Sequence, residues 1–117
     1  MKTLCKMKDI IKALATFEER FEKTHQISLN EALLLCVLHE SEKEMTPTNL
    51  AKSTDLSTSH TSKVIRILEE KKLIQRKLGH VDRRLMYFHL TEQGDRVVAH
   101  LQIEETMIPE LLSPLFK

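Results

Sequence analysis

A chain of 117 residues, 41% hydrophobic and 30% charged, has the size and mixture of one globular domain with one modest core. No apolar run approaches the roughly 20 residues of a membrane span. No signal-peptide pattern opens the chain, and two cysteines are too few for a disulfide framework, so the expectation is a soluble, cytoplasmic protein. The net charge of +1 conceals a split: Ser57 to Arg84 holds eight basic and three acidic residues, a net of +5, which leaves −4 elsewhere. Such a segment is either an electrostatic footprint for a polyanion or a solvated charged face.

The first predicted element is a helix over about Leu4 to Lys23. Its apolar residues, Leu4, Met7, Ile11, Leu14, Phe17 and Phe21, step by three or four along one stripe, which is close to a heptad seam, and Ile10 widens it. Ser28 followed by Glu31 has the form of a capping box. The helix it opens carries the apolar run Ala32 to Leu38, which predicts a central, buried helix. Thr46-Pro47 is a start signal, an N-cap threonine with proline at the first helical position. It opens a short helix through Leu50, Ala51 and Ser53. Thr54 to Leu56 make a turn, and Ser57 caps the next helix.

That helix, Thr58 to about Lys71, places Val64, Ile65, Ile67 and Leu68 late and opens with the polar run Thr58, Ser59, His60, Thr61, Ser62, Lys63. Leu73 to Lys77 and Leu85 to Leu90 read as two strands of a hairpin joined by Gly79 to Arg84, with Val81 as a further member. Thr91 caps a last regular helix bearing Val97, Val98, Leu101 and Ile103. Beyond Pro109, the residues Ile108, Leu111, Leu112, Leu115 and Phe116 form a short apolar tail. The order is helix, helix, helix-turn-helix, hairpin, helix, tail: mainly α with a small β-hairpin wing, a winged helix-turn-helix arrangement.

A helix enters the major groove of DNA only if its leading end is slim and offers hydrogen-bond groups. Thr58, Ser59, His60, Thr61, Ser62, Lys63 and Arg66 meet that need, although an ordinary amphipathic helix with a polar face would look the same. In the wing, an arginine suits a narrow minor groove, where negative potential is concentrated. Asp82 and Arg84 share strand parity, so the acid can hold the guanidinium. A plain surface ion pair is the competing explanation. Lys77, His80 and Arg83 complete the candidate wing contacts.

Asp82-x-Arg84, five residues, then Leu90-Thr91-x-x-Gly94 is similar to the wing signature of MarR-family transcription regulators. "LAKSTDLSTSHTSKVIRILEEKKLIQR", Leu50 to Arg76, resembles the same family's helix-turn-helix. The resemblance implies a homodimer that binds double-stranded DNA at pseudo-palindromic operators and represses. It implies that the helix from Ser57 reads the major groove, with Arg84 in the minor groove and Asp82 as its support. It also implies a winged-helix lobe over about 28–92, flanked by dimerisation helices at 1–24 and 93–117. The expected interface pairs Leu4, Met7, Ile11 and Leu14 with Val98, Leu101, Ile108, Leu111, Leu112 and Leu115. One departure stands out: Lys72 occupies the place where the family usually has glycine. A lysine kept in the left-handed cap there costs about 1 kcal/mol.

Members of this family often respond to a small-molecule effector or an oxidant. Cys36, inside Leu33 to Leu38, is expected to be inert core; Cys5, among Lys2, Lys6 and Lys8 near a helix start, is the candidate redox sensor. The six histidines form no i, i+4 pair and none neighbours a cysteine at metal-ligand spacing, so no metal and no cofactor are expected. No Gly-rich phosphate loop, nucleophile elbow or paired acid–base signature suggests an enzyme. Two other readings stay open, a winged helix used for protein–protein contact and a winged-helix metal sensor.

Overall fold

The computed structural model describes residues 2–41, 44–79, 84–101 and 108–116. They form helices α1 (Lys2–His25), α2 (Leu29–Glu40), α3 (Pro47–Thr54) and α4 (Thr58–Glu70), strands β1 (Ile74–Leu78) and β2 (Met86–Leu90), helix α5 (Glu92–His100) and a 3-10 helix (Glu110–Phe116). The predicted order holds, with most ends moved by one or two residues; α5 stops at His100, and Leu101, expected inside it, is an extended residue at its end. Val81 and Ile103 lie outside the described residues.

Three of the starts are those the local chemistry requires. The Thr46 hydroxyl accepts from the Asn49 amide at 3.1 Å, and Pro47 follows at the first position of α3. The Ser57 hydroxyl accepts from the His60 amide at 3.1 Å, and the Thr91 hydroxyl from the Gly94 amide at 3.0 Å. Each bond satisfies a backbone donor that the first turn leaves without a partner. Asp55, left-handed at φ 59°, makes the turn between α3 and α4.

The chain divides into two compact units. One comprises residues 1–29 and 102–117, the other 30–101. α5 packs with the hairpin and lies in the second unit, whereas the sequence groups it with the terminal helices.

In the second unit the core is built by Leu34, Leu35 and Leu38 of α2, Leu50 of α3, Val64, Ile65 and Leu68 of α4, and Leu73, Ile74 and Phe88. Each such side chain taken out of water contributes about 1.5–3 kcal/mol before entropy is counted. α2 is not buried all round, because Leu33 is 46% exposed on the side away from Leu34, Leu35 and Leu38. β1 and β2 pair antiparallel, from Ile74 opposite Leu90 to Leu78 opposite Met86. Met45 adds a bridge on the far side of Phe88: its amide donates to the Phe88 carbonyl at 3.3 Å and the Phe88 amide donates back at 2.8 Å. Nothing in the local sequence marks Met45 as a strand residue.

α4 ends on a left-handed residue. Lys72 sits at φ 62°, its amide donates to the Glu69 carbonyl, and the Leu73 amide reaches back to the Leu68 carbonyl, each at 3.0 Å. This is a Schellman cap with Leu73 and Leu68 in the core beneath it. The cap geometry is therefore kept although the residue is lysine.

The wing joins α5 through a second tight contact. The Leu73 carbonyl accepts from the Thr91 amide at 3.0 Å and lies so close to Gly94 that any Cβ there would overlap it. Thr91 and Gly94 thus belong to one device, a cap and the space for the strand it docks on.

In the first unit, α1 buries Phe21, whose ring meets Phe17 at 6.1 Å and His25 at 4.5 Å between centroids. The 3-10 helix packs on α1 and buries Leu112.

Candidate nucleic-acid interface

α4 has a buried side and an open side. Thr61, Val64, Ile65 and Leu68, spaced three, one and three residues apart, turn into the core. Thr58, Ser59, His60, Ser62, Lys63 and Arg66 are exposed. Thr61 corrects the sequence reading, which placed it among the DNA contacts. It is 1% exposed, and its hydroxyl has no hydrogen-bond partner among the described residues. The helical period decides this: Thr61 lies three residues before Val64 and seven before Leu68, on the same stripe.

On the open side, Lys63 and Arg66 lie one turn apart, and among the described residues neither has an acidic partner. Their charge is free to meet a polyanion. Ser59 and Ser62 stand beside them at the leading end, where the first-turn amides favour phosphate oxygens.

In the wing, Lys77 is exposed, and its Nζ stands 3.5 Å from the carboxylate of Glu44. Arg84 is exposed at the start of the return to β2. His80, Asp82 and Arg83 lie outside the described residues, as does the pairing expected of Asp82 with Arg84.

Two polar contacts supporting this region have no local signal. Arg76 of β1 grips Glu69 of α4 with two hydrogen bonds, Nε to Oε2 at 2.7 Å and Nη2 to Oε1 at 2.6 Å, while its guanidinium lies 5.7 Å from the Phe88 ring centroid. Those bonds hold the Glu69 carboxyl below the ordinary carboxylate range against the opposing effect of burial, and they raise the Arg76 guanidinium in turn. Lys71, beside the α4 cap, donates to the buried carboxylate of Glu31 on α2 at 2.6 Å. Both contacts fix the end of α4 to the elements around it. Asn30 is a further residue the sequence did not mark; its amide meets His60 at 3.4 Å.

In the first unit, the seam of α1 is open. Leu4, Met7, Ile11 and Leu14 are 44–67% exposed, and Leu111 and Leu115 of the 3-10 helix are 44% and 77% exposed. Leu112 departs from the expected interface, because it is buried against its own chain. Ile108, and Val98 and Leu101 in the second unit, are half-buried. Cys5 is exposed. Cys36 has its thiol pushed up by burial first and by the charge of Glu40 second, which favours the unreactive protonated form. Among the described residues, no three His, Cys, Asp or Glu side chains come together as metal ligands. No described helix is long and apolar enough to cross a membrane.

A capped helix with a polar, cationic open face, a tight turn before it and an antiparallel hairpin after it define a winged helix-turn-helix protein. The family model described as MarR family matches residues 27–86, about half of the chain, so the chain belongs to the MarR family. It is 33% identical over 81 residues to an uncharacterized HTH-type transcriptional regulator, YpoP, of Bacillus subtilis (strain 168), a match covering 69% of this chain and 57% of that one. The chain thus spans little more than half the length of that curated relative. Among solved structures it is similar to AbsC, a MarR family transcriptional regulator from Streptomyces coelicolor, with 28% identity and a TM-score of 0.70 over 82% of this chain and 68% of that one. The MepR–DNA complex of S. aureus has the same fold at 23% identity, with a TM-score of 0.63 over 80% and 76% of the two chains.

Proposed function

We propose that this chain is a cytoplasmic transcriptional regulator that binds double-stranded DNA as a homodimer and represses from pseudo-palindromic operators. The observation that carries the reading is the open face of α4, where Ser59, Ser62, Lys63 and Arg66 stand exposed and the two cations lack acidic partners among the described residues. Membership of the MarR family and the fold shared with a protein solved on DNA support it. Arg84 serves the minor groove with Asp82 as its support. Thr61 has no place in this contact set.

The exposed seam of α1 supports the homodimer, since four large apolar side chains in one stripe are a surface a lone domain seldom leaves in water. Two copies related by a two-fold axis would present two α4 helices about one DNA turn (~34 Å) apart. An effector, whether a small molecule or an oxidant acting at Cys5, would modulate binding.

The test is selection of genomic fragments by the purified protein, followed by affinity across a salt series. An inverted repeat with a steep salt slope is the expected result. No enriched sequence and a flat slope would replace DNA with a protein partner.

A further inference from the structure

Asn30 opens the second unit on the first turn of α2, and His60 lies on the first turn of α4. The Asn30 amide Nδ2 stands 3.4 Å from His60 Nε2. An amide nitrogen donates and does not accept. With the amide nitrogen as donor, Nε2 can meet it only through its lone pair, and the neutral ring that makes this contact is the one protonated on Nδ1. Nδ1 has no partner among the described residues, and the side chain is exposed beside Ser59 and Lys63.

We infer that Asn30 is a positioning residue for DNA recognition, selecting the His60 tautomer that presents Nδ1–H outward as a neutral donor. The inference rests on the DNA-binding reading above. A donor in this place is matched by a proton-free acceptor, which DNA offers as a phosphate oxygen, as N7 of either purine, as O6 of guanine or as O4 of thymine. The opposite tautomer would present a lone pair, which those acceptors repel. Asn30 thus acts on DNA through the ring it orients, without touching DNA itself.

The test has two readouts on the full chain. In free protein carrying 15N-labelled histidine, two-bond proton–nitrogen correlations at neutral pH should report Nδ1–H for His60. Asn30→Asp, whose carboxylate only accepts, should switch the ring to Nε2–H. Nε2–H in the wild type overturns the inference without reference to DNA. On DNA fragments selected by the wild type, Asn30→Ala and His60→Ala should each weaken binding roughly three- to tenfold, and the double variant no more than His60→Ala alone. Independent, multiplying losses overturn it. Relaxed preference at one base position in His60→Ala assigns the acceptor to a base, and a uniform loss across sequences assigns it to a phosphate; either outcome supports the inference. A wild type that selects no DNA overturns the proposed role in recognition, and the tautomer spectra keep that failure distinct from a wrong ring assignment.

Discussion

The hydroxyl of Thr91 donates to the carbonyl oxygen of Lys72 across 2.8 Å. One threonine thereby caps α5 and pins the left-handed residue that ends α4. Lys72 pays a steric cost for its φ of 62° that glycine would not. Lys72→Gly keeps the carbonyl that Thr91 uses. It should raise stability by about 1 kcal/mol, read as a higher denaturation midpoint. A lower midpoint would mean that the lysine side chain contributes more than its backbone costs.

Thr61 buries a hydroxyl with no partner among the described residues. Valine has nearly the same outline without the polar atom. Thr61→Val should stabilise the protein by roughly 1 kcal/mol and leave DNA affinity unchanged. Thermal unfolding and a binding titration on the same sample check both halves. A large loss of affinity would return Thr61 to the interface.

Glu69 is the ionised partner in a two-bond grip, and its carboxyl lies below the ordinary range because Arg76 bonds its charged form. A carboxyl lowered on folding adds stability above its unfolded value. That stability is lost as pH falls through the folded value. Glu69→Gln should therefore be less stable than wild type at neutral pH, with the difference shrinking under acid. Denaturant midpoints across pH measure it, and a constant gap would assign the effect to shape rather than charge.

If Lys63 and Arg66 meet phosphates, each releases counterions on binding. Replacing either with alanine should flatten the plot of log affinity against log salt by about 0.9 per contact, or about 1.8 for the two copies in a dimer. Arg84→Ala should weaken binding while the melting transition stays in place, because an exposed wing residue holds little of the fold. Unaltered slopes and affinities would remove these side chains from the interface.

Ile11 is 66% exposed in the middle of the α1 seam. If the α1 seam joins two copies as proposed, Ile11→Glu should leave the helix intact, since the position is not core, and shift the protein from dimer to monomer. Light scattering after size exclusion reads the mass directly. A variant that remains dimeric would place the interface elsewhere.

Helix starts were legible residue by residue because a cap is a local bargain. Thr46, Ser57 and Thr91 each accept from an amide three positions on, and a pattern of four residues contains both parties. The hairpin pairing of Leu73 to Lys77 with Leu85 to Leu90 and the polar opening of α4 were legible from short stretches as well, and with them the winged arrangement. Burial and pairing across the chain were not. Thr61 has the chemistry of its polar neighbours, and its spacing from Val64 and Leu68 is the one local sign of a burial that the packing of α4 makes nearly complete. Asn30 meets His60 from 30 positions away, Glu31 meets Lys71 from 40, and Met45 pairs with Phe88 through backbone groups that every residue carries. Such contacts depend on which elements the core brings side by side, and no window of sequence holds both partners. Local hydrogen bonding chose the elements of this protein; the burial of Leu34, Leu50, Leu68 and Phe88 in one core decided which polar groups were left to face outward.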